Sequence, residues 1–384
     1  MIRMRSAVAL VVLAAATVAT AQEDYRSAEH DFRVVTVAEG FDTPWSMTWL
    51  PDGDLLVTER PGQLRIVRNG QLLTDPVPGV PPVFAEGQGG LFEVLPHPDF
   101  STNRLLYLSY ARPLPEGSTT VVVRGRFEND ALVDLEDVFV SDSQGRGHYG
   151  GRMAWDGDEM LWVTVGERMA RPAGDLSAHP AQSPGNHHGV TVRLHDDGRV
   201  PDDNPFVGQA SAKPEVWSYG HRNPQGLAIH PDTGEVWTTE HGPQGGDELN
   251  LIQPGVNYGW PVVGYGVNYG SGSAIHGATR GEGMENPRHF WVPSIATASL
   301  LIYSGDRFPG WKGDFFVGGL AGQQLARLTP SVDRAGRIER EETLAHGLGR
   351  IRDVRQGPDD YIYLAIESRP GPGRVVRLEP LQGR

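Results

Sequence analysis

A turn followed by a short β-rich strand recurs six times along this chain, and few folds accommodate such a pattern. Pro51-Asp52-Gly53 leads into Leu55-Leu56-Val57-Thr58-Glu59, and Pro98-Asp99 into Leu105-Leu106-Tyr107-Leu108. Asp156-Gly157 leads into Leu161–Val165, Pro231-Asp232 into Glu235–Glu240, Lys312-Gly313-Asp314 into Phe315–Val317, and Pro358-Asp359 into Tyr361–Ala365. Each strand ends near a small or acidic residue. A second strand often follows, as in Gln63–Val67, Gln324–Leu328 and Arg374–Leu378. Units repeating at roughly 45–80 residues read as blades, and six copies leave about 60 residues for each, enough for four strands and their loops. The expectation is an all-β chain folded as a six-bladed β-propeller of four-stranded antiparallel blades. Each copy should fall in a different blade, with long insertions after the third and fourth copies. A β-sandwich or two small β domains is the alternative, but sandwiches do not explain six copies. No amphipathic helix of ordinary length is evident.

The N-terminus reads as a leader. Arg3 and Arg5 precede an apolar run from Ala7 to Ala19, and Ala19-Thr20-Ala21 matches a small-residue cleavage site. Residues 1–21 are therefore expected to be a signal peptide and residues 22–384 a single propeller domain, periplasmic or secreted. An uncleaved anchor is the competing reading, but the run is shorter than the ~20 residues a span needs. No later stretch is apolar enough to cross a membrane. The chain has no cysteine, which excludes disulfides, thiolate metal sites and cysteine nucleophiles. The formal net charge of −14, without a basic block, argues against nucleic acid as a partner.

Chemistry-bearing residues concentrate in Gly220–Ala228 (GHRNPQGLA), Glu240–Asn250 (EHGPQGGDELN) and Asn257–Pro261 (NYGWP). Arginine offers a rigid fork of donors for carboxylates, and asparagine both donates and accepts. A Gly-Pro pair such as Gly242-Pro243 can turn carbonyls toward a cation, and Glu248 and Tyr258 add the hard oxygens that calcium selects. Taken alone, such pairs are more often plain turns.

These runs resemble the soluble quinoprotein glucose and aldose sugar dehydrogenases, the glucose/sorbosone dehydrogenase family, and most closely its aldose sugar dehydrogenase branch. Further matching segments are Gly87–Leu91, His148–Arg152, Asp202–Phe206 and Arg350–Val354, so the resemblance spans nearly the whole mature chain. It implies oxidation of aldoses at C1 to lactones, with pyrroloquinoline quinone (PQQ) and Ca2+ as cofactors. By that resemblance His148 is the general base, and Gln88, Arg222, Asn223, Arg350 and Arg352 bind the quinone, which carries three carboxylates. Gly242 and Pro243 match carbonyl ligands of a calcium touching the quinone, and Glu248 and Tyr258 match a second calcium site. Arg350 and Arg352 lie two apart, so on a strand they share a face.

Two departures from the family pattern stand out. Glu167 occupies a place where the family usually has an aspartate to orient the histidine. Ala321 lies near the place of a quinone-contacting lysine in glucose-specific members, with main-chain amides or Gln323 as substitutes. Trp291 falls where the family places sugar-contacting residues. The partners implied are an aldose and an electron acceptor (a quinone, cytochrome or dye), and a monomer is expected. Two other functions remain open at this point: a cofactor-free carbohydrate-binding propeller and a calcium-dependent lactonase.

Overall fold

The computed structural model describes residues 24–332, 336–368 and 371–381. The expected leader, residues 1–21, lies outside them. The described chain forms six antiparallel sheets arranged in a ring. Blade 1 contains Pro44–Trp49, Leu55–Glu59, Gln63–Arg68 and Gln71–Leu72; blade 2 contains Leu91–Pro96, Leu105–Pro113, Ser118–Glu128 and Ala131–Val140. Blade 3 contains Met153–Trp155, Leu161–Val165, Val190–Leu194 and Val216–Tyr219; blade 4 contains Pro224–Ile229, Val236–Glu240, Asp247–Ile252 and His289–Trp291. Blade 5 contains Thr297–Ile302, Phe315–Gly319, Gln324–Pro330 and Ile338–Leu344. Each of the six sequence copies is the second strand of a different blade, as the repeat required. Helix is confined, among the described residues, to Phe100–Asn103 and three short 3-10 turns.

Blade 6 joins the two ends of the chain. Arg350–Gln356, Ile362–Glu367 and Gly373–Pro380 supply its inner strands, and the N-terminal Phe32–Phe41 pairs antiparallel with Gly373–Pro380. Asp24–Tyr25 adds a fifth strand at the edge. The ring thus closes through main-chain hydrogen bonds between segments more than 300 residues apart.

The core lies between blades, with an apolar cluster at each of the six interfaces. Leu56, Leu64 and Ile66 of blade 1 meet Val94, Leu106 and Leu108 of blade 2, and blade 6 packs on blade 1 through Tyr363, Val375, Met47 and Val57. Comparable clusters join blades 2 and 3, 3 and 4, 4 and 5, and 5 and 6. Both faces of each sheet are covered, so strands such as Leu55–Glu59 and Leu161–Val165 are buried at every position. That explains why they read as unbroken β-rich runs without alternation.

Near the axis the innermost strands share a bulge. In blade 1 Pro44 faces Glu59 while Ser46 faces Thr58, which leaves Trp45 as the extra residue. Gln225, Ala298 and Arg352 are the extra residues in blades 4, 5 and 6, and the blade 2 bulge takes in Phe92 and Glu93. In blade 3 both Gly151 and Arg152 bond the main chain of Thr164. A bulge bends its strand and re-aims the side chain it carries. Here it recurs at the cavity end of every blade.

Candidate active site

At that end, where first strands begin and second strands finish, a cavity of about 250 Å3 sits on the axis. Every blade contributes: Trp45 and Arg60, Gln88, His148, Arg222 with Asn223, Gln225 and His241, Ala296 and Leu320, and Arg350 with Arg352. Tyr269 comes from the 253–288 excursion of blade 4, which returns to the cavity side where Val267 pairs with Gln244. The structure therefore brings together His148, Gln88, Arg222, Asn223, Arg350 and Arg352. Trp45, Arg60, Gln225, His241 and Tyr269 were not singled out from the sequence.

His148 is buried, with φ +42°, a left-handed conformation uncommon outside glycine. Its neighbours hold it there. Its main-chain N–H donates to Gln88 Oε1 at 2.9 Å, and its carbonyl accepts from Arg168 Nη1 at 3.1 Å. Gly166 has to be glycine, because a Cβ there would lie 2.2 Å from the His148 carbonyl. Glu167 places Oε1 2.5 Å from His148 Nδ1, and its Oε2 accepts the Ala170 N–H. The extra methylene of glutamate thus still reaches the imidazole. Burial, reinforced by Arg222 and Arg168, holds His148 well below the ordinary histidine range, so the ring is neutral. Burial also pushes the Glu167 carboxyl up to about 7, against the pull of Arg222. With Nδ1 engaged by Glu167, Nε2 is the nitrogen left for the cavity.

Arg350 and Arg352 share a face, as their spacing demands. Both grip Glu367, from Arg350 Nε at 3.1 Å and Arg352 Nε at 2.6 Å, and Arg352 Nη1 also donates to Gln225 Oε1 at 2.8 Å. Burial raises the Glu367 carboxyl, but Arg352 and Arg350 outweigh it and hold it below its ordinary value. Arg222 Nη1 donates to the carbonyls of His241 and Gly242 at 3.0 and 2.7 Å, while its buried Nε has no protein partner. Asn223 Oδ1 accepts the Gly150 N–H at 3.1 Å.

The cavity wall suits a planar tricarboxylate. Four guanidinium groups line it (Arg60, Arg222, Arg350 and Arg352), and none of its described lining residues is Asp or Glu. This cationic pocket sits in a chain of net charge −14. Trp45 and Tyr269 add aromatic rings to the wall.

Beside the cavity, a cleft of about 20 Å3 is lined by Glu240, Gly242, Pro243, Glu248 and Tyr258. The calcium-matching residues are thus gathered in one place. Glu240 and Glu248 face each other across adjacent strands, and burial together with Glu240 pushes the Glu248 carboxyl well up. Facing carboxylates without a cation repel, so this donor set fits a hard divalent ion. The Tyr258 hydroxyl is not available to it, because it donates to the Leu251 carbonyl at 2.6 Å and accepts the Gln253 N–H at 2.9 Å. Among the described residues no group of three or more His, Asp or Glu side chains is placed to hold a metal, so main-chain oxygens would have to complete any such site.

Two expectations need correction. Trp291 does not face the cavity: it is buried between blades 4 and 5, and its indole N–H donates to Glu341 at 2.8 Å. Nor do main-chain amides near Ala321 replace a lysine, because those of Leu320, Ala321 and Gly322 donate to the carbonyls of Ala296 and Ile295. Arg60 brings the additional positive charge from blade 1 instead.

Fold and site define a class, a propeller with an arginine-walled axial cavity beside a neutral histidine. The glucose/sorbosone dehydrogenase family model matches residues 41–377. Aldose sugar dehydrogenase YliI of Escherichia coli is 39% identical over 356 residues, covering 90% of this chain and 92% of that protein. Quinoprotein glucose dehydrogenase B of Acinetobacter calcoaceticus is 31% identical, covering 82% and 70%. Among solved structures, the apo-form of the E. coli aldose sugar dehydrogenase superposes with a TM-score of 0.84 at 35% identity, covering 91% of this chain and all of that one. The PQQ-bound aldose sugar dehydrogenase of Streptomyces coelicolor gives 0.73 at 28% identity, covering 91% and 98%. The chain belongs to the glucose/sorbosone dehydrogenase family and is an oxidoreductase of the sugar dehydrogenase type.

Proposed function

We propose that this protein oxidises aldoses at C1 to lactones with PQQ and Ca2+, as an exported enzyme of the periplasm or exterior. The observation that carries the reading is the axial cavity, walled by four guanidinium groups with His148 beside them. Arg60, Arg222, Arg350 and Arg352 would hold the cofactor's carboxylates, Gly242 and Pro243 one calcium ion, and Glu248 a second. The bound quinone supplies the hydride acceptor. His148 Nε2 removes the proton of the anomeric hydroxyl as the C1 hydrogen departs, so the sugar loses two electrons and two hydrogens. Glu167 fixes the tautomer that makes this transfer feasible.

The test is reconstitution. Purified protein given PQQ and Ca2+ is expected to reduce a dye in the presence of aldoses, and excess chelator is expected to lower both the rate and Tm, since ligands that bind only the folded state stabilise it. Full activity and an unchanged Tm in chelator would remove calcium from the reading. No dye reduction with any aldose would return the chain to a binding role.

Glu167 also sets a pH dependence. Below about 7 its carboxyl is protonated, donates to Nδ1 and leaves the N–H on Nε2, where the ring cannot act as base. Above that value the carboxylate accepts the Nδ1–H and Nε2 is free to take a proton. We expect kcat/KM to rise with pH through about 7, and Glu167→Gln to abolish that limb. An identical limb in Glu167→Gln would assign it to another group.

A further inference from the structure

Arg152 ends the His148–Arg152 motif, lies outside the cavity lining, and is 2% exposed. Its contacts reach all five other blades. Nε donates to the Gln225 carbonyl of blade 4 at 2.8 Å. Nη2 donates to the Ala298 carbonyl of blade 5 and the Arg352 carbonyl of blade 6, both at 2.9 Å. Nη1 donates to Glu93 Oε2 of blade 2 at 3.0 Å and lies 2.8 Å from Asp353 Oδ1. The guanidinium stacks 4.1 Å above the Trp45 ring of blade 1.

These partners are the bulge residues. Trp45, Glu93, Gln225, Ala298 and Arg352 each belong to the bulge of their own blade. A bulge disrupts the ladder, so its main-chain groups need other partners. The carbonyls of Gln225, Ala298 and Arg352 find one in a single guanidinium. Glu93 and Asp353 balance its charge, and both are also bound by Arg355. Three bulge residues, Trp45, Gln225 and Arg352, carry their side chains into the cavity wall.

We propose that Arg152 is the positioning residue of the cofactor cavity, the axial pin that holds five blades' bulges and so aims Trp45, Gln225 and Arg352 at the cofactor. The cofactor part of this inference rests on the function proposed above; the pinning of the bulges does not. The residue must be arginine, because only a planar fork with five N–H groups reaches carbonyls on three blades at once. Lysine keeps the charge but concentrates its donors on one nitrogen.

The test compares Arg152→Lys with Arg327→Lys, a control in blade 5. Arg327 is as deeply buried and is paired with Asp314 at 2.5 Å, outside the residues lining the cavity. Each variant is titrated with PQQ in Ca2+, melted, and crystallised. Arg152→Lys is expected to bind PQQ at least tenfold more weakly and to show Gln225 and Arg352 displaced, whereas Arg327→Lys lowers Tm with unchanged PQQ affinity. Wild-type affinity in Arg152→Lys, or unmoved Gln225 and Arg352 side chains, overturns the proposal. If the wild-type protein itself does not bind PQQ, the cofactor reading fails and the crystal comparison alone decides the pin. If Arg152→Lys does not fold, Glu93→Gln removes one ionic partner of the pin. A fewfold loss of PQQ affinity there, or a shift of the Gln225 or Arg352 side chain, supports the proposal, and neither change overturns it.

Discussion

His148→Ala is expected to cut turnover by about a hundredfold or more, the usual scale for a lost general base, while leaving PQQ affinity close to wild type. The geometry separates the two effects. His148 is held in place by its main chain, through Gln88 and Arg168, and alanine keeps that backbone. The arginines proposed to hold the cofactor's carboxylates make no side-chain hydrogen bond to the imidazole. Glu167 loses its partner, but its carboxyl already sits near 7 and settles into the buried site as the neutral acid. A reconstitution titration should therefore saturate at a normal PQQ concentration with a low plateau. Wild-type turnover with several aldoses would remove His148 from the mechanism and favour the carbohydrate-binding alternative.

The ring was legible because its unit is local. The turn and second strand of each blade lie within about a dozen residues of each other, so six copies could be read without knowing what they pair with. The closure in blade 6 was not legible. Phe32–Phe41 pairs with Gly373–Pro380, and nothing within either segment specifies a partner at the other end of the chain. The same divide runs through the site. His148, Arg222, Asn223, Arg350 and Arg352 stand in contiguous motifs, whereas Arg60, and His241 inside the Glu240–Asn250 run, are marked by their position in the repeat. Both directly follow a buried glutamate that ends a second strand, Glu59 and Glu240, and Glu367 ends blade 6 in the same way. Aligning the copies on that glutamate would have found them. Trp291 went the other way: the family resemblance placed it among sugar-contacting residues, but interblade packing claimed it. The bulges have no local signal, because what they need is the guanidinium of another blade.

Arg352→Ala should have the opposite signature to His148→Ala, with cofactor affinity falling first. The substitution withdraws one of four guanidiniums from the cavity wall and takes the donor of a 2.8 Å bond from Gln225. A cofactor carboxylate without its charge-assisted partner loses about 1.5–3 kcal/mol, roughly a ten- to hundredfold rise in Kd. Turnover at saturating PQQ should stay well above that of His148→Ala, because the His148–Glu167 pair is untouched. Stability should fall as well, with a definite pH dependence. Arg352 and Arg350 hold Glu367 below its ordinary value, so their stabilisation is complete above the unfolded carboxyl's pKa and is lost as pH falls through the lowered folded value. The Tm gap between wild type and Arg352→Ala should therefore be full at neutral pH and narrow in acid. Arg352→Lys should recover part of the affinity through its charge, but not the bidentate reach to Glu367 and Gln225. If Arg352→Ala binds PQQ as tightly as wild type, the arginine pair serves Glu367 and the ring alone, and the carboxylate clamp falls to Arg60 and Arg222.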